Sequence, residues 1–324
     1  MTDNDIRYGL IEGKIDDPDT TYNRLSRLIR EQGVPEDLDP AQWSLRGEHG
    51  VSLAHIAAKY SELPRDFEQW DLADESGWTV AQVAAYEGKL PPHFERWRLV
   101  DVLGRSVAHE AVIVKPLPAD FDDWTLADSD GWTVAHEAAH YGRLPPDFEG
   151  WALSDSTGHT VAHVAAARGC LPPGFKGWKM VDNAGDTVAH LAAIKQILPE
   201  EFPDWHLLDR DGVTVAHRAA QNGTLPKGFR KWSLAMPDGE TVAHTFVSAA
   251  GLGLSYRDSG DRAMLPEHFS GWFWATSDGV TVIERAREVG CSEIIALYEQ
   301  QMLSNRIKKG DKVSSKASIN KGGV

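Results

Sequence analysis

Residues 124–150 read WTLADSDGWTVAHEAAHYGRLPPDFEG, and this unit recurs along most of the chain. Tryptophans repeat at intervals of 27 residues, with one final interval of 40, at Trp43, Trp70, Trp97, Trp124, Trp151, Trp178, Trp205, Trp232 and Trp272. Turn glycines and Leu-Pro pairs keep the same step. A fixed period of this kind is typical of a repeat array, in which each unit stacks on the next. The sequence therefore predicts a solenoid of about nine repeats.

The first half of the unit carries the signals of a tight turn followed by a short helix. Gly131 suits a turn that needs positive φ, and Asp128 suits the opening of that turn. Thr133 is a natural helix N-cap. His136 follows three residues later, where a capping box places a side chain that bonds back to the N–H of the cap. We therefore expect a helix that ends near Gly142.

The second half of the unit begins with proline and carries two aromatic residues. Pro145 or Pro146 suits the start of a second, short helix, where a missing N–H costs nothing. Phe148 and Trp151 are three residues apart, so they would share one face of that helix. We expect the ladder tryptophans, such as Trp151 and Trp178, to be buried between layers.

The string GxTVAHxAAxxG at residues 131–142, with Asp128 upstream, resembles the ankyrin repeat signature GxTPLHxAAxxG. The string returns around Gly77, Gly158, Gly185 and Gly212. The resemblance covers residues 44–303 and implies a mainly α fold, an ankyrin-like solenoid of helix-turn-short-helix repeats. The second half departs from the family, because these repeats are shorter than the usual ~33 residues and carry LPxxFxxW in place of a full second helix.

The two ends of the chain differ from the repeats, as capping segments do. Residues 1–43 predict an N-terminal helical cap with a degenerate half-repeat, since Leu25, Leu28 and Ile29 have helical spacing within residues 21–32. Residues 44–303 form the repeat array, with an insertion near 249–262 and a closing helix over 291–303. Residues 304–324 hold six basic residues and one acidic residue, and they predict a flexible tail.

The chain of 324 residues is acidic, with 48 Asp and Glu against 33 Lys and Arg and a net charge of −15. This excess argues against general binding to nucleic-acid phosphates or to an anionic membrane surface. Two cysteines, Cys170 and Cys291, are too few for a disulfide framework and indicate a reducing compartment. The first residues lack the apolar stretch of a signal peptide. We therefore expect a cytoplasmic protein, and whether it acts in its own cell or inside a host stays open.

Residues 136–140 read HEAAH, which matches the HExxH motif of zinc proteases. The same position holds histidine in six other repeats, namely His55, His109, His163, His190, His217 and His244. Gln82 and Glu284 replace it elsewhere, and both can make the hydrogen bond of a capping box. We therefore predict that His136 is structural, with no catalytic residue, no metal and no cofactor. His140 and His159 could still approach each other in stacked repeats and form an adventitious metal site.

In ankyrin arrays, targets are contacted by residues after the turn Asp, by the residue after the turn Gly and by the residues after Ala-Ala. The resemblance carries this surface over to Glu75, Trp78, Tyr86, Glu87, Arg105, Asp130, Trp132, His140, Tyr141, His159, Arg168, Asp186, Lys195 and Arg210. Trp78 and Trp132 lie outside the tryptophan ladder, so we expect them to project outward as interface anchors; the alternative is that they shield the turn. Tyr256 lies in the insertion, which is either a further part of the binding face or a neutral loop.

These patterns favour a non-enzymatic scaffold that binds a partner protein through the turns and first helices. The acidic body implies a partner with a basic surface, attracted at long range and released by salt. An alternative is an acidic nucleic-acid mimic that inhibits a DNA- or RNA-binding enzyme. A third is a metalloenzyme built on His136 and His140. We expect a monomer that binds neither nucleic acid nor membrane directly.

Overall fold

The computed structural model describes residues 20–253 and 264–319, with side chains described as far as Arg306. The chain divides into two compact units, one ending at Cys170 and the other beginning at Leu171. Within the described residues, the secondary structure is helical, with short turns closed by isolated antiparallel bridges and no sheet. None of the described helices is long and apolar enough to cross a lipid bilayer.

Both units are series of short helices in which each helix contacts the next. The described part of the first unit contains α1 (Thr21–Gln32), α2 (Leu53–Tyr60), α3 (Val80–Tyr86), α4 (Val107–Val114), α5 (Val134–His140) and α6 (Val161–Arg168). The described part of the second unit contains α7 (Val188–Lys195), α8 (Val215–Gln221), α9 (Val242–Gly251), α10 (Val282–Glu288) and α11 (Ser292–Ile319). The helical repeat predicted from the period is therefore confirmed.

Helices α3 to α8 are each preceded by a turn that is built around one aspartate. The Asp128 Oδ1 accepts the backbone N–H groups of Asp130 at 3.0 Å and of Trp132 at 2.9 Å. Gly131 has a φ of 79°, as the turn requires, and an antiparallel bridge joins Ala127 to Thr133. The same pair of bonds is made by Asp74, Asp101, Asp155, Asp182 and Asp209.

The capping box predicted at Thr133 and His136 is confirmed, and it has a second function. The Thr133 N–H donates to the His136 Nδ1 at 3.1 Å, and the Thr133 hydroxyl lies 2.7 Å from the same nitrogen. The His136 Nε2 lies 3.0 Å from the backbone oxygen of His159, in the next repeat. The same link to a following repeat is made, at 2.9–3.1 Å, by His55, His109, His190, His217 and His244. We call these bonds the histidine ladder.

The geometry of the histidine ladder requires neutral imidazole rings. At His55, His109, His136, His190 and His244 the Nδ1 atom accepts a backbone N–H, so it carries no proton, and the Nε2 atom must carry one to donate to a carbonyl. Burial lowers the pKa of the ladder histidines, to about 4 at His109, which is fully buried. Each ring is therefore held in one tautomer that joins its own helix N-terminus to the next turn.

The short second helix predicted from Pro145 or Pro146 is wrong, because the full repeats have only a single turn there. The Phe148 N–H donates to the Pro145 carbonyl at 3.1 Å, and the Trp151 N–H then donates to the Glu149 carbonyl at 2.9 Å instead of continuing a helix. A first helical turn fixes several residues for one hydrogen bond, so a segment this short gains little from helix formation.

Ring stacking holds this second element in place. Trp and Phe alternate edge-to-face, with centroids 5.0–5.8 Å apart in the first unit from Trp43 to Trp151 and 5.0–5.9 Å apart in the second from Phe175 to Phe202 and beyond. Such pairs contribute about 0.5–1.5 kcal/mol beyond their buried area. Trp151 and Trp178 are only partly buried, which corrects the expectation for them, because part of each indole stays at the surface.

Capping helices are present at both ends of the described chain. Helix α1 spans residues 21–32 as predicted, with Ile29 fully buried. At the other end, α11 packs Ile294 into the core, and the Trp272 Nε1 donates to the Gln301 Oε1 at 2.7 Å. This helix runs to Ile319, well beyond residue 303 and into the segment predicted as a flexible tail. Extending an existing helix costs far less than starting one, and this segment contains no proline.

We expect the free energy of unfolding to fall as the pH is lowered from 7 to 5. The unfolded chain takes up protons near the ordinary histidine pKa of about 6.5, whereas burial lowers the pKa of the native ladder histidines, so the unfolded state binds more protons in this window. For His109 alone the loss should be about 2 kcal/mol at pH 5. Urea unfolding at the two pH values measures it.

Gln82 provides the control for this prediction. Its Oε1 accepts the Thr79 N–H at 2.9 Å and its Nε2 donates to the Arg105 carbonyl at 2.8 Å, so glutamine makes both ladder bonds without titrating. The variant His109→Gln should therefore keep most of the stability at pH 7 and lose less of it at pH 5. Replacement of the exposed His93 by Gln is the matched control, because it alters no bond of the histidine ladder. An unaltered pH dependence in His109→Gln would contradict the neutral ladder.

Candidate partner-binding face

Three positions of each repeat make up the candidate binding face. They are the turn tip between the turn Asp and the turn Gly, the residue after that Gly, and the end of the helix. In the repeat of residues 124–150, the Trp132 Nε1 donates to the Glu137 Oε2 at 2.7 Å, and Tyr141 follows Glu137 by one helical turn. We call this surface the turn/helix face.

The predicted face residues differ in exposure. Exposed side chains are those of Glu75, Asp130, Tyr141, Arg168, Lys195 and Arg210. Partly buried ones are those of Tyr86, Glu87, Arg105, Trp132, His140, His159 and Asp186. Tyr256 and residues 254–263 of the insertion lie outside the described residues. The backbone of Arg210 packs on Gly185, so Arg210 and Asp186 occupy adjacent turns of the second unit.

Trp78 is buried, so the outward projection predicted for it is wrong. Only 2% of its surface is exposed, and it belongs to the same hydrophobic core as Val80 and Val83. Its ring also lies edge-to-face with Tyr86 at a centroid distance of 6.3 Å. The large apolar surface of an indole favours this packing wherever neighbouring residues are also apolar. A binding role for Trp78 stays a prediction.

Trp132 is only partly buried, although it occupies the position equivalent to Trp78. Its indole N–H is bonded to Glu137, and its ring lies 5.0 Å from the ring of His136. The residue five positions later decides the difference, because Val83 gives Trp78 an apolar neighbour while Glu137 gives Trp132 a hydrogen-bond acceptor.

A buried ion cluster lies beside Trp132. The Arg105 Nε donates to the Glu110 Oε1 at 2.8 Å, and an Arg105 Nη1 lies 3.6 Å from the Glu137 Oε2 and 4.0 Å from the Asp128 Oδ2. Glu110 is fully buried, and its Oε2 has no hydrogen-bond partner among the described residues. Burial raises the pKa of Glu110 despite the charge of Arg105. Burial lowers the pKa of Arg105, but the carboxylates raise it more, so its guanidinium stays charged.

Sequence reasoning identified Arg105 and Trp132 but missed Glu110 and Glu137. The signal is in the sequence: Arg105 and Glu110 are five residues apart, as are Trp132 and Glu137, and in both pairs a donor side chain precedes an acceptor. The residue after the turn glycine and the residue after the ladder position form a pair in each of these repeats.

The HEAAH segment does not present two free imidazoles. Both ring nitrogens of His136 are used by the histidine ladder. The Arg168 guanidinium contacts the ring nitrogens of His140, and burial together with that charge lowers the pKa of His140. In the part of the chain that the structure describes, no group of three or more His, Cys, Asp or Glu side chains is placed to hold a metal ion.

One turn tip is apolar, which the sequence reasoning also missed. Val100, Val102 and Leu103 are 51%, 70% and 41% exposed. Only Gly104 separates Leu103 from Arg105, so an exposed aliphatic patch lies next to the buried ion cluster. The face residues were predicted from positions that ankyrin repeats share. This patch was missed because its aliphatic residues differ from those at the same positions of the other repeats.

Comparison with known proteins does not assign this chain to a family. No protein-family model matches it, and no curated protein does. A functional proposal therefore depends on the repeat geometry and on the face described above.

We expect Trp78→Ala to lower the free energy of unfolding by about 3–5 kcal/mol, because it removes a buried indole from the core. Trp132→Phe should cost about 1 kcal/mol, since it keeps an aromatic side chain and removes one hydrogen bond. Urea unfolding of both variants, with the buried ladder variant Trp205→Ala for comparison, measures the difference. A larger loss for Trp132→Phe than for Trp78→Ala would show that their packing is assigned the wrong way round.

Proposed function

We propose that the chain is a non-enzymatic scaffold of shortened ankyrin-like repeats that binds a partner protein through the turn/helix face. One observation carries the proposal. The positions that hold the repeat together are nearly constant within the chain, namely the turn Asp and Gly, the cap Thr and the ladder His. The tip and helix-end positions of the same repeats differ from one repeat to the next. A uniform frame with variable exposed positions is suited to recognition.

The ankyrin-like assignment is supported by the turn and the first helix. The residues of the shared signature have the functions that the signature implies. Gly131 adopts a positive φ in the turn that Asp128 closes, and Thr133 and His136 form the capping box. The single turn at Pro145, in place of a second helix, is the reason for proposing a shortened variant.

Exposed aromatic and acidic side chains support protein recognition. Tyr141 is 43% exposed, and the Arg143 guanidinium carbon lies 5.4 Å from its ring centroid. Tyrosine is enriched among residues that dominate binding energy. The net charge of −15 and the exposed Asp130 and Glu75 favour a partner with a basic surface.

Nucleic-acid mimicry has less support than protein recognition. Mimicry needs regularly spaced carboxylates that face outward. The aspartates that recur in register, such as Asp128 and Asp155, each accept two backbone N–H groups of their own turn. Their regular spacing is thus explained by the turn they form.

A capture experiment at low salt tests the proposal. The baits are the wild type, the face variant Asp130→Ala/Tyr141→Ala and the control variant Asp147→Ala/Glu149→Ala, which changes two exposed acids of the same repeat on its second element. We expect a partner that binds the wild type and the control equally, that binds the face variant about tenfold more weakly and that is released by salt. Equal binding to all three baits would place recognition elsewhere.

A further inference from the structure

Adjacent turn tips touch one another in the first unit. The Ser129 N–H donates to the Leu103 carbonyl at 2.8 Å. The backbone and side chain of Val102 pack against Gly77, where an added Cβ would lie 2.8 Å from the Val102 Cγ1. The tip that carries Val102 and Leu103 therefore lies between the tip that ends at Gly77 and the tip that carries Asp130.

This tip differs from the other tips in chemistry. Its two central residues, Val102 and Leu103, are aliphatic and exposed, and Val100 beside them is also exposed. The same two positions of the other full repeats hold at least one polar residue, as in Glu75-Ser76, Ser129-Asp130, Ser156-Thr157, Asn183-Ala184, Arg210-Asp211, Pro237-Asp238 and Ser277-Asp278. A contiguous exposed apolar patch with a polar rim is typical of an interaction site.

The tip is fixed before any partner arrives. The Asp101 Oδ1 accepts the N–H groups of Leu103 at 2.9 Å and of Arg105 at 3.0 Å. Gly104 closes the turn with a φ of 76°. A patch presented on a rigid turn loses little conformational entropy on binding, so more of its contact energy contributes to affinity.

The surroundings of the patch are acidic. Exposed carboxylates lie on the neighbouring tips, Glu75 on one side and Asp130 on the other. Arg105, the cation that follows the tip in sequence, is held in the buried cluster by Glu110 and Glu137. An acidic partner segment would meet like charge on both sides, and a second copy of this chain would add its own net charge of −15.

We propose that Val100, Val102 and Leu103 form the centre of the binding face and accept a partner segment in which an apolar side chain is flanked by Lys or Arg. This inference rests on the proposed function and adds the location and the chemistry of recognition. The apolar side chain packs on the aliphatic patch, and the flanking cations pair with Glu75 and Asp130.

Selection of short random peptides displayed on phage tests this inference without a known partner. The wild type is the target, and selected peptides are then synthesised and titrated against two variants. Val102→Ser/Leu103→Ser removes the patch, and Val181→Ser/Leu208→Ser removes two aliphatic residues of the second unit that are 56% and 55% exposed. We expect selected peptides to carry an apolar residue beside Lys or Arg, and to bind the patch variant about tenfold more weakly or worse while binding the control normally.

A third variant, Glu75→Gln/Asp130→Asn, tests the acidic rim. It should weaken the same peptides several-fold and reduce the salt dependence of their binding. Selected peptides that are acidic, or that bind the patch variant as well as the wild type, overturn the inference and leave the proposed scaffold function standing. If selection yields no binding peptide at all, the result counts against both.

Discussion

The bond from the His136 Nε2 to the backbone oxygen of His159 joins one repeat to the next. The other features of each repeat depend on the histidine ladder, of which this bond is one member. The same ring accepts the Thr133 N–H, so one side chain sets both the start of a helix and the position of the following turn. A carboxylate has no proton to donate at neutral pH and would cap its helix without reaching onward. Glu284 is found in the last repeat, which is followed by α11 and not by another turn.

Local signals in the sequence were sufficient to predict the features that depend only on contacts within one repeat. The turn at Gly131, the cap at Thr133 and the helix at residues 21–32 depend on neighbours a few residues away, and all are confirmed. The second element was mispredicted because Pro145 marks a helix start equally well whether the chain continues as a helix or makes a single turn. Stacking of Phe148 against Trp124, which lies far from it in sequence, holds the segment in this conformation, and that stacking is a tertiary contact.

The sequence predicted which positions make up the candidate face, but it did not predict how exposed their side chains are. The residue after a turn glycine lies on the turn/helix face in every repeat, yet Trp78 is buried and Trp132 is partly exposed. Their surroundings differ in the residue five positions later, which is Val83 in one repeat and Glu137 in the other. A family signature considers each position separately, so it cannot predict how the burial of one residue depends on another. A comparison of the two positions together, from one repeat to the next, can predict it.

Two departures from the repeat coincide within residues 100–110. The tip carries exposed aliphatic residues, and the Arg105–Glu110 pair occupies positions that hold Trp78 and Val83 one repeat earlier. Neither departure serves stability, because exposed aliphatic residues bury little surface and a buried ion pair is often no more stable than apolar residues in its place. The preceding repeat, which has Trp78 and Val83 at these two positions, shows that the fold accepts an apolar pair there. These features, which the fold does not require, are grouped in one repeat beside the tips that carry Glu75 and Asp130, and this grouping is the reason for our proposal that the tip serves recognition.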